Sequence, residues 1–403
     1  MSPETPHTPP PAADQPSTPR APTPRWKRIR MRILRHRAVQ AALHPAITLT
    51  GLFVLLLLVF FGTLYQADHG LYEAQRIFFG YIIWVKGIIP FPGTSTVLWI
   101  LSLQLLLFML FQLPLVWKKF GLWVVHAGLL LLLVGGFITQ TMAVESQMTL
   151  AEGQTGQTTT SYDQWEVVAF TSRGDTNFVT AFKDDDLRPG AVLRLDQYNA
   201  SLVVKTYYKN AAAFTSNATG GVMPYLNASR IASMEPRKPA KEAPENAPGV
   251  IATLRSEGAE DRDILLYGLE RVPLAVTLND ERVFLQIRRR NYPLDFAITL
   301  RDFIRVLHPG TETPKSFESD ITLHTGNTSR DLKIWMNNPL RYNGYTFFQA
   351  SFSIDQSGEL STFAVVTNPG RLIPYISSLM VFGGMLIHFV LHFLGYVKRT
   401  ARP

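Results

Sequence analysis

Residues 120–140 read FGLWVVHAGLLLLLVGGFITQ, with a single histidine and no carboxylate, lysine or arginine. As a helix this stretch would be about 31 Å long at ~1.5 Å per residue, enough to cross a hydrocarbon core of ~30 Å. Three other runs share its composition: Pro45–Tyr65, Thr94–Trp117 and Leu372–Val397. Inside lipid a backbone must satisfy its own polar groups, which helices do within one segment. The sequence therefore predicts a membrane protein with four transmembrane α-helices.

The flanks give the orientation. Arg25, Lys27, Arg28, Arg30, Arg32, Arg35 and Arg37 precede the first run, Lys118 and Lys119 join the second to the third, and Lys398, Arg399 and Arg402 follow the fourth. All three clusters fall on one side, and the positive-inside rule makes that side the cytoplasm. The expectation is a multi-pass protein of the cell (inner) membrane with both termini cytoplasmic. The polar segment between the third and fourth runs is then extracytoplasmic.

Four regions follow. Residues 1–43 form a cytoplasmic tail, Pro- and Thr-rich and disordered over 1–24, then basic. Residues 44–140 hold three helices. Within them the loop 66–93 mixes Tyr72, Phe78, Phe79, Tyr81, Trp84 and Phe91 with Arg76 and Lys86. Aromatics beside cations suit a headgroup layer, so a short interfacial helix is expected, ended by Pro90 and Pro92. Residues 141–371 form a large β-rich domain between helices three and four. Its strand-like stretches are Trp165–Phe170, Leu202–Tyr207, Leu274–Leu278, Val283–Ile287 and Phe363–Val366, bounded by turn residues. A Pro/Ala/charge segment at 234–249 reads as a flexible insert or a boundary between two β lobes. Residues 372–403 are the fourth helix and a cytoplasmic C-terminus.

The net charge of +8 and pI near 9.6 do not indicate nucleic acid, because the cations crowd at the membrane flanks. The absence of cysteine excludes a disulfide, a thiolate metal site and a C-x-x-C-H attachment motif. No Walker loop, G-x-S-x-G or H-E-x-x-H is present. Asp184-Asp185-Asp186 reads as a solvated turn, and His308 and His324 as turn histidines.

Ionisable groups inside apolar runs are costly and point to function. Here they are histidines: His126 in run three, His388 and His392 one turn apart in run four, and His44 at the edge of run one. Counting from Lys119 places His126 about 10 Å deep at ~1.5 Å per residue, and counting back from Lys398 places His392 level with it and His388 a turn deeper. A neutral imidazole is a natural axial ligand for haem iron. Gly128, Gly135, Gly136, Gly383 and Gly384 would let a flat macrocycle approach. The same residues also suit close helix–helix packing, with histidine as an interhelical hydrogen-bond former. Position alone leaves both readings open. Gln104 and Gln112 are expected to bond between helices.

Several stretches carry a resemblance: YQ and GLYEAQ at 65–75, PLDFAITLRDF at 293–303, SFESDITL at 316–323, MNNPLRYNGYTFFQASF at 336–352, and Asn368-Pro369-Gly370. Over residues 45–396 the chain resembles the ResB/CcsB family of cytochrome c biogenesis proteins. The resemblance implies a subunit of a membrane haem transporter and cytochrome c synthase, working with a ResC/CcsA-type partner. It implies haem carried outward for attachment to the C-x-x-C-H of apocytochrome c, with thiol reductant proteins acting indirectly. By its place on the third helix, the family's transmembrane haem ligand maps to His126. The Asn338–Gln349 signature also has a reading as a turn and a strand. Two alternatives stand beside this: a b-type electron-transfer anchor pairing His126 with His388 or His392, and a scaffold without haem ligation.

Overall fold

The computed structural model describes residues 36–85, 88–173, 176–215, 231–311, 314–355 and 358–400. The Pro-rich tail, the basic residues up to Arg35, Lys86 and Arg402 lie outside them. Six helices are described: α1 (Arg37–Ala42), α2 (Pro45–His69), α3 (Leu71–Phe78), α4 (Thr94–Phe111), α5 (Phe120–Met142) and α6 (Ile373–Thr400). Four of these, α2, α4, α5 and α6, are long and apolar enough to cross a membrane. All the described strands after Met142 precede α6 in the chain.

Pro45 opens α2 at a position where its missing N–H costs nothing. Run two stops earlier than its apolar length suggests, at Phe111, because Pro114 cannot continue a helix. Helices α2 and α4 are pinned by a buried amide. Gln104 accepts from Thr48 Oγ1 at 2.8 Å and donates to the His44 carbonyl at 3.0 Å. Gln112 follows the last residue of α4, where its backbone N–H bonds the Phe108 carbonyl, and it lines the space between α2, α4 and α5.

Helices α5 and α6 pack through glycine. A Cβ on Gly121 would lie 2.5 Å from both the Gly384 carbonyl oxygen and the His388 amide nitrogen. One on Gly128 would lie 3.0 Å from Met380, Val381 and the Ser377 carbonyl, and one on Gly135 would run into Ile373. Three glycines seven residues apart thus form a smooth stripe that admits α6 to backbone contact. This corrects the view of these glycines as room for a macrocycle, because the other helix fills the space. Gly136 and Gly383 face open space.

The 66–93 loop also departs from expectation. Its helix α3 ends at Phe78, well before the prolines, and folds back along α2 with Phe78 beside Gly62 and Tyr65. The prolines sit in a separate β-hairpin, β1 (Ile82–Val85) with β2 (Ile89–Pro92).

The β-rich domain is antiparallel throughout. Its main sheet runs β15 (Thr328–Trp335), β14 (Pro314–Thr325), β13 (Glu281–Leu307), β4 (Thr155–Arg173), β3 (Val144–Ala151), β18 (Gly358–Thr367), β17 (Tyr345–Asp355) and β16 (Leu340–Tyr342). β12 (Leu274–Leu278) joins β13, and β5 (Thr176–Lys183) joins β4. A second sheet orders β11 (Arg262–Tyr267), β10 (Gly249–Ser256), β7 (Ala200–Tyr208) and β6 (Val192–Leu195). β8 (Ala211–Thr215) pairs with β9 (Ile231–Pro236). All five stretches expected as strands fall inside strands. One core gathers Trp165, Val167, Leu202, Val250, Ile264 and Leu285. A second gathers Met148, Phe296, Ile321, Phe347 and Phe363.

The signature around residue 340 builds this second core. Asn343 and Gly344 both have positive φ (46° and 81°), giving the two-residue turn that hairpin twist favours. The turn brings Tyr342 and Tyr345 edge-on to Phe296, at centroid distances of 5.0 and 5.8 Å. Two of the stretches that carry the resemblance therefore meet in one packing cluster.

The 234–249 segment connects β9 to β10, and strands on both sides of it feed the same core, so it does not divide two lobes. It is tied by hydrogen bonds from Arg289 Nη2 to the Pro244 carbonyl and from Lys241 Nζ to the Ala67 carbonyl at the end of α2. Gly70 packs directly against the Lys241 backbone. Its φ of 83° and this contact together require glycine there.

Candidate functional site

The first three membrane helices leave a cavity of about 500 Å3 between them. Leucines dominate its wall, with Thr48, Gln104, Gln112 and His126 as the polar members. His126 is half-buried and packs beside Phe108, with ring centroids 5.3 Å apart.

The hydrogen bonding of His126 defines its chemistry. Its Nδ1 lies 2.6 Å from the Leu122 carbonyl oxygen. A carbonyl only accepts, so Nδ1 carries the proton and donates. In the neutral ring Nε2 then keeps its lone pair. A backbone carbonyl behind one imidazole nitrogen is the arrangement that orients and strengthens the other as a metal ligand. His44 is the reverse case. Its Nδ1 accepts from the Ala46 amide at 3.2 Å, which puts the proton of the neutral ring on Nε2 and leaves no lone pair for a metal. His44 is a helix cap, and its carbonyl anchors Gln104.

His388 and His392 sit apart from this cavity. Around α5, His126 is about 140° from Gly121 at ~100° per residue, so it faces away from the α6 contact. His388 lies level with Gly121, five residues nearer the Lys118–Lys119 turn than His126. Counting back from Lys398 predicts a deeper position for it. The difference arises because α6 continues ten residues past His388 to Lys398, so that lysine does not mark the depth at which α6 meets α5. The His388 and His392 rings approach each other at 4.4 Å, and His388 Nδ1 is buried without a hydrogen-bond partner among the described residues. His392 is exposed. The geometry does not bring His126 to either of them.

His69 was given no role in the sequence reading. His69 ends α2, stacks on Tyr65 at 3.9 Å and donates Nδ1–H to the Tyr65 carbonyl. It repeats the back-bonding of His126 at the domain end of the helices. The only signal for it was its position at the end of an apolar run. The soluble-domain histidine His324 has both nitrogens engaged, by Thr299 and Ser329. No group of three or more His, Cys, Asp or Glu suited to a metal ion occurs among the described residues.

The domain's face toward α3 is acidic and phenolic. Burial, then Asp163, raises the Tyr72 phenol. Burial, then Asp184 and Asp185, raises Tyr207 strongly. Asp184 heads a single turn, Asp184–Asp186, and its carboxyl is raised by burial and then by Asp185. Tyr72 reaches this patch from the start of α3.

Comparison with known proteins places these residues. The profile of the ResB-like family matches residues 116–220 and 275–370. The match holds α5 with His126, and the Asn338–Gln349 signature. It omits α2, α4, α6 and the 234–249 segment, so it is narrower than the resemblance read over 45–396. His388 and His392 lie outside it. Over 111 residues the chain is 32% identical to Protein NrfI of Wolinella succinogenes, a stretch covering 27% of this chain and 12% of NrfI. The chain thus spans about an eighth of that curated relative.

Proposed function

Because this chain belongs to the ResB-like family, we propose that it works in cytochrome c biogenesis as a haem-handling subunit of a membrane synthase. Haem is its cargo. His126 supplies one axial nitrogen to the iron, within the cavity between α2, α4 and α5. The observation that carries this reading is the back-bonded imidazole: Nδ1–H on the Leu122 carbonyl and a bare Nε2 in an apolar wall.

The donor set fits one ligand and no more. Among the residues lining the cavity there is no second histidine, methionine, cysteine or tyrosine. The other axial ligand therefore comes from a ResC/CcsA-type partner. The leucine-rich wall takes the macrocycle's faces, and the domain beyond the membrane docks that partner and the apocytochrome. Attachment adds each cysteine S–H of C-x-x-C-H across a haem vinyl group, so two C–S bonds form and nothing leaves. This chain has no cysteine and supplies no thiol. The reducing equivalents that keep the apocytochrome thiols free come from a separate thiol reductant.

Co-purification with the partner, followed by a haem spectrum, tests the reading. His126→Ala lowers haem content and cytochrome c maturation together. His126→Gly with added imidazole restores part of both, because the free base refills the vacated coordination position, which separates ligation from packing. Full haem and maturation in His126→Ala, with loss in His388→Ala or His392→Ala, would move the ligand to α6.

A further inference from the structure

Among the described residues, the hairpin of β1 and β2 is joined to no other strand. A lone two-stranded hairpin is marginal in water. This one is also strongly apolar and uncovered: Trp84 is 60% exposed and Ile88 79%, with Tyr81, Ile82 and Ile89 exposed beside them. Something must cover it.

Its height along the helices says what. The hairpin is clamped to the first turn of α4. Gly93 N–H donates to the Tyr81 carbonyl, Ser95 Oγ to the Phe79 carbonyl and Thr96 Oγ1 to the Tyr81 carbonyl. A Cβ on Gly93 would collide with the Gly80 carbonyl, so the joint is tight. Ser95 is level with Gln140 of α5, which donates to it at 3.3 Å, and Trp99 stacks on Phe137 just below. Gln140 is 21 residues from Lys119. That separation is about 32 Å at ~1.5 Å per residue, one hydrocarbon thickness. With Lys119 at one membrane boundary, the hairpin sits at the other.

The backbone is suited to that place. Gly93 bonding Tyr81 sets the ladder bonds at alternate pairs, Ile83 with Phe91 and Val85 with Ile89. Pro90 and Pro92 then occupy the positions whose N–H groups would point out of the hairpin. Those two prolines leave the β2 edge without outward donors that would go unsatisfied near lipid.

We propose that the β1–β2 hairpin is an interfacial anchor, lying in the headgroup layer on the domain side with Ile82, Trp84 and Ile89 in contact with lipid. It fixes the height of α4 in the bilayer and adds a broad aromatic foot beside α3 and α4. The inference is independent of haem and of His126.

The natural sequence contains no cysteine, so single-cysteine variants need no other change. The full chain carrying I82C, W84C or I89C is spin-labelled and reconstituted in phosphatidylethanolamine–phosphatidylglycerol vesicles. V272C, an exposed apolar position of the β-rich domain, is the reference. Relaxation enhancement by oxygen and by a water-soluble nickel chelate is compared. The proposal expects oxygen to exceed nickel at the three hairpin sites and the reverse at V272C. Nickel access equal to that of V272C would overturn it in favour of water. Exclusion of both reagents would overturn it in favour of a protein cover. The three side chains are exposed, so their removal sacrifices little packing, and any one inserted variant decides between these outcomes.

Discussion

Gly121 and Gly384 meet backbone to backbone: a Cβ on the first would lie 2.5 Å from the carbonyl oxygen of the second, and the reverse distance is 2.8 Å. Gly121→Leu forces α6 off α5, and overpacking of this kind costs about 1–3 kcal/mol. The expected result is a lower thermal midpoint in detergent and greater protease sensitivity near residue 371. Gly136→Leu, which meets open space, serves as the control and leaves the midpoint unchanged.

Phe296 is buried among Tyr342, Tyr345 and Phe347, three aromatics of the signature hairpin. Phe296→Ala removes the ring on which they converge. A loss of about 3–5 kcal/mol is expected, read by denaturant unfolding of the full chain in detergent. A loss below about 1 kcal/mol would mean that the hairpin does not depend on this cluster.

Arg288 donates Nε–H to Glu166 at 2.9 Å, and the carboxylate side chain is only 7% exposed. Arg288→Ala strands a charge in the sheet, a change that costs about 3 kcal/mol when a buried pair is broken from one side. Adding Glu166→Gln should recover part of this loss, because the neutral amide is cheaper to bury. Equal stability of the single and double variants would remove the pair from the account.

Asp184 gives a pH signature. Burial and the neighbouring Asp185 raise its carboxyl above the ordinary 3.8. The folded state therefore holds the proton more tightly than the unfolded chain. Its contribution is fully present below the ordinary value and is lost as pH rises through the raised one. Asp184→Asn should flatten the fall in thermal midpoint over that acid window and stabilise the domain at neutral pH. The phenols of Tyr72 and Tyr207 beside it do not titrate there, so they leave the comparison intact.

Hydropathy was enough to find the helices, because spanning a membrane is a one-dimensional demand on length and charge. The strands were legible where β-branched and aromatic residues crowd between turns, as at Leu274–Leu278. Four things were not. The α5 glycines read equally as space for a ligand or as a groove for a helix, and the choice is made by Ser377 and Gly384, more than 240 residues away in the sequence. The loop at 66–93 hides its hairpin because Pro90 and Pro92 look like breakers, whereas on a free strand edge they only remove outward donors. The relative depths of His126 and His388 depend on the register of α5 against α6, which no count from a flanking lysine contains. His126 itself was visible as a charge-capable residue in an apolar run. Its tautomer was not, since the Leu122 carbonyl becomes its partner only once the turn is formed.

Strand β13 passes through both cores of the β-rich domain. Val283, Leu285 and Ile287 lie in one, and Leu294, Phe296, Ile298 and Leu300 in the other. Neither half can melt without stripping a shared strand from its neighbour, so the halves are thermodynamically yoked. Damage at an edge of one sheet is felt as lost cooperativity in the whole domain, rather than as the release of an independent lobe. The fourth membrane helix is tied into the same network, because β18, which precedes it in the chain, pairs with β3, β3 pairs with β4 and β4 pairs with β13.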